Sequence, residues 1–168
     1  MQLALEDKLT HSYKEGMIAF LKSHPEHFNE AIELAISDYQ PYAWRAAWLI
    51  WSCMDYDDKR LQKYTKHIVH SLNSKNDRHQ RELLKILLQM NLNEKYSGSL
   101  FDKCVNVWEQ IDKTPSVRFT ALKLMIKVAK AHPSLSKEIA LLTQDRYLEP
   151  LSPAAKKSIS KMMNELLH

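Results

Sequence analysis

The feature that most constrains the fold of this chain is a short segment, apolar with a central lysine, that recurs every 38 residues. Residues 83–87 read Leu-Leu-Lys-Ile-Leu, residues 121–125 read Ala-Leu-Lys-Leu-Met, and residues 159–163 read Ile-Ser-Lys-Met-Met. Pro115 and Pro153 have the same spacing, and proline is well tolerated in the first turn of a helix, where its missing amide costs no hydrogen bond. A period of this length is typical of stacked helix pairs.

The remaining apolar segments fit the same frame. Residues 41–54 align with the recurring segment when Arg45 is matched to Arg118. We take the recurring segments as the second, or B, helix of each repeat. An amphipathic helix over residues 11–23 precedes the first repeat and is expected to cap it, because a terminal repeat must cover its open face. The partner A helices are predicted over residues 25–37, 58–72, 97–111 and 134–147.

Composition supports an all-α fold. The chain of 168 residues has only two glycines, Gly16 and Gly98, whereas sheet proteins need glycine at tight turns and bulges. We therefore predict an α-α superhelix, a short solenoid of about four antiparallel helix pairs with an N-terminal capping helix. The expected organisation is one domain over residues 1–168, with the cap over 1–24 and repeats over about 25–55, 58–91, 95–131 and 133–168.

Residues 115–125 carry a resemblance to a known family. Their sequence, Pro-Ser-Val-Arg-Phe-Thr-Ala-Leu-Lys-Leu-Met, resembles the B-helix signature of HEAT and armadillo-like repeats, and residues 44–49 resemble it again. The second B helix departs from the signature with Gln80, and the fourth has Lys156. The resemblance covers residues 25–168. It implies an α-solenoid that acts as a scaffold, adaptor or transport receptor, and occasionally as a nucleic-acid enzyme.

Two arginines of the B helices are assigned structural roles. Arg118 points into the apolar arc of its helix, and a buried guanidinium is costly unless it is paired. Asp112 stands six residues earlier, which is the spacing that the resemblance implies for an aspartate–arginine ladder. We therefore expect Arg45, Arg118 and Asp112 to hold the stack together, and anion binding by the two arginines is the alternative.

The exposed arc of the B helices carries basic residues. Lys85, Lys123 and Lys161 occupy one equivalent position in three successive B helices, and stacked B helices line the concave side of a solenoid. We hypothesise a basic partner-binding row there, so that reversing these three charges abolishes binding and leaves the fold intact. A plain solvated face is the alternative, because Glu82 and Glu165 interrupt the charge. The complete row comprises Arg78, Arg81, Lys85, Lys123, Lys127, Lys157 and Lys161.

The first B helix departs from this pattern. It has Ile50 where the later helices have lysine, with Met54 beside it, and Trp44, Trp48 and Trp51 are expected to point in three directions. A helix that is apolar nearly all round must be covered. Either the N-terminal helix covers it, or Ile50 and Met54 form an exposed apolar patch for a partner or a second copy of the chain.

Residues that carry chemistry do not form recognisable motifs. The chain has no glycine-rich phosphate loop and no cysteine–histidine zinc spacing. His24 and His27, like His67 and His70, are three residues apart but lack further ligands nearby in sequence. We therefore expect no catalytic site, no metal and no cofactor. Two cysteines in apolar helical patterns, with neither a signal peptide nor a membrane span in the sequence, favour free thiols in the cytoplasm.

Charge is distributed unevenly along the chain. Residues 113–168 carry 10 Lys or Arg against 4 Asp or Glu, and residues 1–112 carry 14 against 16. The sequence thus predicts a non-enzymatic protein–protein interaction or scaffold module, a monomer or weak homodimer, that binds another protein, preferably acidic, on its concave face.

The alternative function is nucleic-acid binding, with kinship to the HEAT-like DNA-alkylation-repair glycosylases. That kinship would imply a basic concave channel with tryptophans and a catalytic aspartate. Here the lysines concentrate towards one end of the chain and three of the four tryptophans towards the other, which weighs against this alternative.

Overall fold

The computed structural model describes residues 2–11 and 13–168, and within these ranges all side chains except those of Gln2, Leu3 and His11. Met1 and Ser12, which the sequence assigns to the cap, lie outside the described residues. The described chain is helical throughout and contains no strand, which confirms the all-α prediction. Its α-helices are α1 Gln2–His11, α2 Lys14–Ser23, α3 Phe28–Ile36, α4 Tyr42–Cys53, α5 Lys59–Gln62, α6 Thr65–Ser71, α7 Asp77–Leu88, α8 Glu94–Glu109, α9 Pro115–Ala131, α10 Ser136–Leu142, α11 Asp145–Leu148 and α12 Pro153–Leu167.

The chain divides into two compact units, each described by itself. Unit 1 is Met1–Asn91 and unit 2 is Leu92–His168. The division falls between α7 and α8, where the sequence predicts the end of the second repeat. Unit 1 therefore contains the N-terminal helices and the first two predicted repeats, and unit 2 contains the other two. None of the described helices is long and apolar enough to cross a membrane.

The first helix pair forms the centre of unit 1. α3 packs against α4, and α4 packs in turn against α7, α2 and α1. The side of α4 that meets these neighbours is fully buried and rich in alanine, which allows close approach between helix backbones. Its fully buried residues are Ala43, Ala46, Ala47, Leu49 and Ile50. Burying a leucine or isoleucine completely contributes about 1.5–3 kcal/mol to stability.

The N-terminal helix predicted over residues 11–23 corresponds to α2, and a further helix that the sequence did not predict, α1, precedes it. α1 and α2 both pack against α4, and their inward side chains, Leu5, Leu9, Met17 and Leu21, are buried. Ile50 has no exposed surface, so the alternative of an exposed patch is wrong for this residue. Met54 stays partly exposed at the end of α4.

Two of the predicted A helices are broken. The helix predicted over 58–72 is divided into α5 and α6. The helix predicted over 134–147 consists of a 3-10 turn at Pro133–Leu135 followed by α10 and α11. At the second break the hydroxyl of Thr143 donates to the carbonyl of Ala140, a local contact that competes with continued helix. The third and longest A helix, α8, starts three residues earlier than predicted, with the Asn93 side chain accepting from the amide of Lys95.

Arg118 has partners that the sequence did not predict. It is fully buried in unit 2, where its Nε donates to the carbonyl of Trp108 at 2.8 Å and its Nη2 to the carbonyl of Tyr147 at 2.7 Å. The guanidinium also lies over the Trp108 ring, with Cζ 4.4 Å from the ring centroid. Asp112 is exposed. Arg118 is therefore structural, as predicted, but it joins α9 to the ends of α8 and α11 instead of pairing with Asp112.

Lys75 forms a similar connection in unit 1. Its side chain is only 3% exposed, and its Nζ donates to the carbonyls of Ile36 at 2.6 Å and Ser37 at 2.9 Å. It also bonds to the carboxylate of Asp38 at 2.6 Å, which lowers the pKa of Asp38. A cation at the negative end of a helix is favourable, so Lys75 joins the second repeat to the C-terminal end of α3.

His79 extends the same junction. It is fully buried; its Nε2 donates to the carbonyl of Ala35 at 2.6 Å, and its Nδ1 accepts from the side-chain amide of Gln40 at 3.0 Å. This pattern requires the neutral ring. Burial lowers the pKa of His79, and the charge of Lys75 lowers it further, against opposing contributions from the Ala35 contact and Asp38.

Replacing Arg118 by alanine is expected to destabilise the protein by about 3 kcal/mol, because two buried carbonyls lose their donors and Trp108 loses its stacked neighbour. Asp112→Ala is the matched control and should change the free energy of unfolding by less than about 0.5 kcal/mol. Urea unfolding monitored by circular dichroism measures both. A large destabilisation by Asp112→Ala would instead support the Asp112–Arg118 ion pair that the sequence predicts.

The stability of unit 1 is expected to fall as the pH drops below 6.5, the ordinary pKa of histidine. Below this pH the unfolded chain binds a proton that buried, neutral His79 does not bind. The stability contributed by His79 is therefore present above 6.5 and is lost as the pH falls through its lowered native pKa. Urea unfolding followed by tryptophan emission between about pH 5 and 8 measures this dependence. His79→Gln keeps a donor for Ala35 and should flatten the curve; an unchanged slope would contradict the assignment.

Candidate partner-binding surface

The three tryptophans of α4 form one stripe. Trp44, Trp48 and Trp51 are spaced i, i+4 and i+7, a spacing that places them within about 60° of one another around a helix. All three are partly exposed, whereas Ala46, Leu49 and Ile50 on the opposite side of α4 are buried. The expectation that they point in three directions is wrong, and their spacing alone contains the correct answer. We call Trp44, Trp48 and Trp51 the tryptophan stripe.

Each ring of the stripe has a cation beside it. The Cζ of Arg78 is 4.7 Å from the Trp44 ring centroid, and the Nζ of Lys85 is 3.8 Å from that of Trp51. Both cations come from α7, and in both pairs the cation follows the tryptophan by 34 residues. α4 and α7 therefore run alongside each other in a constant register. Such contacts contribute about 0.5–1 kcal/mol each at partly exposed positions.

The opposite edge of the stripe faces the N-terminal helices. The Nζ of Lys14, in α2, lies 5.5 Å from the Trp48 ring centroid. Arg45 is 5.8 Å from the ring of Trp44, but its Nη1 donates to the carbonyl of Leu9 at 2.8 Å. The predicted structural role of Arg45 thus takes the form of a connection from α4 to the end of α1. Sequence reasoning did not identify Lys14, because only the packing of α2 on α4 brings it to the stripe.

Lys85 and Arg81 share a buried carboxylate. The side chain of Glu82 is 1% exposed; its Oε1 accepts from Nε and Nη2 of Arg81 at 3.2 and 3.0 Å, and its Oε2 lies 3.5 Å from Nζ of Lys85. The sequence suggested that Glu82 interrupts the charge of the basic row on the surface, but Glu82 is buried. From its buried position it pairs with Arg81 and Lys85, two members of the predicted row. Arg78, by contrast, is exposed.

The other members of the predicted basic row belong to unit 2. Lys123 is exposed, with its Nζ 4.7 Å from the Phe119 ring centroid. Lys127 is partly exposed in the same helix, and Lys157 and Lys161 are exposed in α12. Within unit 2 these lysines lie on the two B helices, as predicted. A continuous row that includes Lys85 of unit 1 stays a prediction.

The two units differ in net charge. Residues 1–91 carry 12 Lys or Arg and 12 Asp or Glu, and residues 92–168 carry 12 and 8. The whole excess of +4 therefore belongs to unit 2. The tryptophan stripe lies in a unit that is neutral overall.

Among the described residues, no group of three or more His, Cys, Asp or Glu side chains is placed to hold a metal ion. His27 instead pairs with Glu30 through Nδ1 at 3.0 Å. Cys53 and Cys104 are free thiols, and burial raises the pKa of each. A raised pKa reduces the fraction of reactive thiolate.

The folded chain is an all-helical repeat protein built from packed helix pairs. The family model of the HEAT repeat domain matches residues 1–166, and the chain belongs to this family. The match includes α1 and α2, which lie outside the residues that carried the sequence resemblance. No curated protein and no solved structure matches the chain. Membership in the HEAT family establishes the fold and is compatible with many partners.

Lys85→Glu is expected to destabilise unit 1 by about 2 kcal/mol or more, because it places a second carboxylate against buried Glu82. Lys123→Glu and Lys161→Glu should each change stability by less than about 0.5 kcal/mol, since both lysines are exposed. This revises the expectation that all three reversals leave the fold intact. Urea unfolding of the three single variants measures the difference, and equal values for Lys85→Glu and Lys123→Glu would contradict it.

Proposed function

We propose that this protein is a non-enzymatic interaction module that binds another protein through the tryptophan stripe and the adjoining face of α7. The observation that carries the proposal is that three large aromatic side chains lie side by side and remain partly exposed. Tryptophan and arginine are the residues most enriched where binding energy concentrates in protein interfaces.

The position of the stripe supports the proposal. α4 and α7 are B helices, and the resemblance to HEAT repeats implies that B helices line the inner face on which such proteins hold partners. α4 packs against α3, α7, α2 and α1. The stripe is what these neighbours leave partly uncovered, on helices that the core holds in place. A rigid aromatic surface binds with a small loss of conformational entropy.

The stripe and its partner can be tested through Trp48. It is the middle member of the stripe, so a partner that covers the stripe contacts it. Purified protein with Trp48→Ala is expected to lose at least about tenfold in capture of its partner from cell extract. Tyr39→Ala, at an aromatic residue that is 54% exposed outside the stripe, is the matched control. Equal capture by both variants would refute the proposal, provided that circular dichroism shows both to be folded.

Nucleic-acid binding is the second candidate function, favoured by exposed Lys123, Lys157 and Lys161 in the unit that carries the net charge of +4. It requires retention of single-stranded DNA or RNA that falls steeply with salt. It also requires that Lys123→Glu with Lys161→Glu abolishes this retention. We further propose a cytoplasmic location, which two free thiols support.

A further inference from the structure

We infer that the stripe recognises an acidic peptide segment and that Arg78 is the residue that binds its carboxylate. The inference rests on the proposed function and specifies the class of partner. Some cations near the stripe are already bonded to groups within the fold, and others are free to bind a partner.

Two cations beside the stripe are available to a partner. Lys85 and Arg81 are committed to buried Glu82, and Arg45 donates to the carbonyl of Leu9. Within the part of the chain that the structure describes, no ion pair involves Arg78 or Lys14. Both are exposed, and they lie beside different rings of the stripe.

Arg78 is preorganised to bind a carboxylate. Its guanidinium is held over Trp44, with Cζ 4.7 Å from the ring centroid. Stacking occupies the flat face of a guanidinium and leaves the N–H groups along its edge free to donate. Two such parallel donors match the two oxygens of a carboxylate. Because the ring restrains the side chain, less rotamer entropy is lost when a carboxylate binds.

The arrangement of the free charges matches a short amphipathic segment. Arg78 comes from α7 and Lys14 from α2, helices that both pack against α4. Trp44 and Trp51 are two helical turns apart, about 10 Å along α4. A peptide whose apolar side chains cover the indoles would therefore place its acidic side chains near these cations. Of the two carboxylates of α7, Glu82 is buried and presents little negative surface, and Asp77 is half-buried.

The same observations disfavour nucleic acid at this surface. Affinity for nucleic acid grows with the number of phosphates that cations neutralise. Among the described residues, the free cations placed beside rings of the stripe are Arg78 and Lys14, and unit 1 carries no net charge.

Three labelled peptides of about 12 residues test the inference with the full-length chain. All three carry leucines at helical spacing, and their other positions are glutamate, glutamine or lysine. Fluorescence anisotropy measures affinity, and tryptophan emission reports contact with the stripe. The glutamate peptide should bind at least about tenfold more tightly than the glutamine peptide, and the lysine peptide should bind most weakly.

Substitutions at Arg78 then locate the carboxylate contact. Arg78→Gln should weaken binding of the glutamate peptide about tenfold, and Arg78→Lys, which keeps the charge and loses the planar fork, should weaken it less. Lys66→Gln, at an exposed lysine of α6, is the matched control and should have no effect. Circular dichroism confirms that each variant is folded.

The outcomes separate the inference from the proposed function. Equal binding of the three peptides, with loss on Trp48→Ala, would overturn the acidic partner and support the stripe as a binding surface. No binding of any peptide, or no effect of Arg78→Gln, would also overturn the inference. Tighter binding of a single-stranded oligonucleotide that depends on Arg78 would replace the acidic peptide by nucleic acid. The proposed function itself fails only if Trp48→Ala leaves partner capture unchanged.

Discussion

The structure depends on how the carbonyl groups at the ends of its helices find donors. The last carbonyls of a helix lack intrahelical partners, and many proteins satisfy them with a glycine that reverses the chain. This chain has two glycines, and both lie inside helices. Side chains from other helices, and from the turn before α7, satisfy these carbonyls instead, with Lys75 and His79 bonding to the end of α3, Arg45 to α1, Arg118 to α8 and α11, and Trp108 to α10. Each such bond therefore caps one helix and attaches it to another.

This use of side chains within the fold explains why the charge available on the surface differs from the charge counted in the sequence. A cation that caps a helix or pairs with a buried carboxylate is no longer available to a partner. Lys75, Arg118 and Lys85 are used in this way, to different degrees. Arg78 and Lys14 are not, and they lie beside the tryptophan stripe, an aromatic surface of unit 1 that the neighbouring helices leave partly uncovered. The fold thus selects which of the charges can act in recognition.

Much of the fold could be predicted because the helices of each repeat follow from patterns of residues close together in the chain. The B helices follow from apolar residues at helical spacing and from Pro115 and Pro153, which begin α9 and α12 as predicted. The errors arose where a residue's environment comes from another helix. Asp112 has the spacing from Arg118 that an ion pair would need, but Arg118 donates to the carbonyls of Trp108 and Tyr147 instead. The tryptophan stripe is a different case, since the spacing of Trp44, Trp48 and Trp51 already places them on one face.

The sequence by itself determined the helix pairs, their period and membership in the HEAT family, because helix periodicity and capping depend on residues close together in the chain. It also determined that Arg118 must be paired, since burial of a guanidinium has the same cost wherever its partner lies. Only the tertiary structure decided which cations are free. Lys85 and Arg78 are both exposed-arc residues of one helix, seven positions apart, and sequence treats them alike. Both lie over a tryptophan ring, but Glu82 lies beside Lys85, and no carboxylate of the described chain forms an ion pair with Arg78. This difference distinguishes them, because electrostatic interactions depend on distances that packing sets.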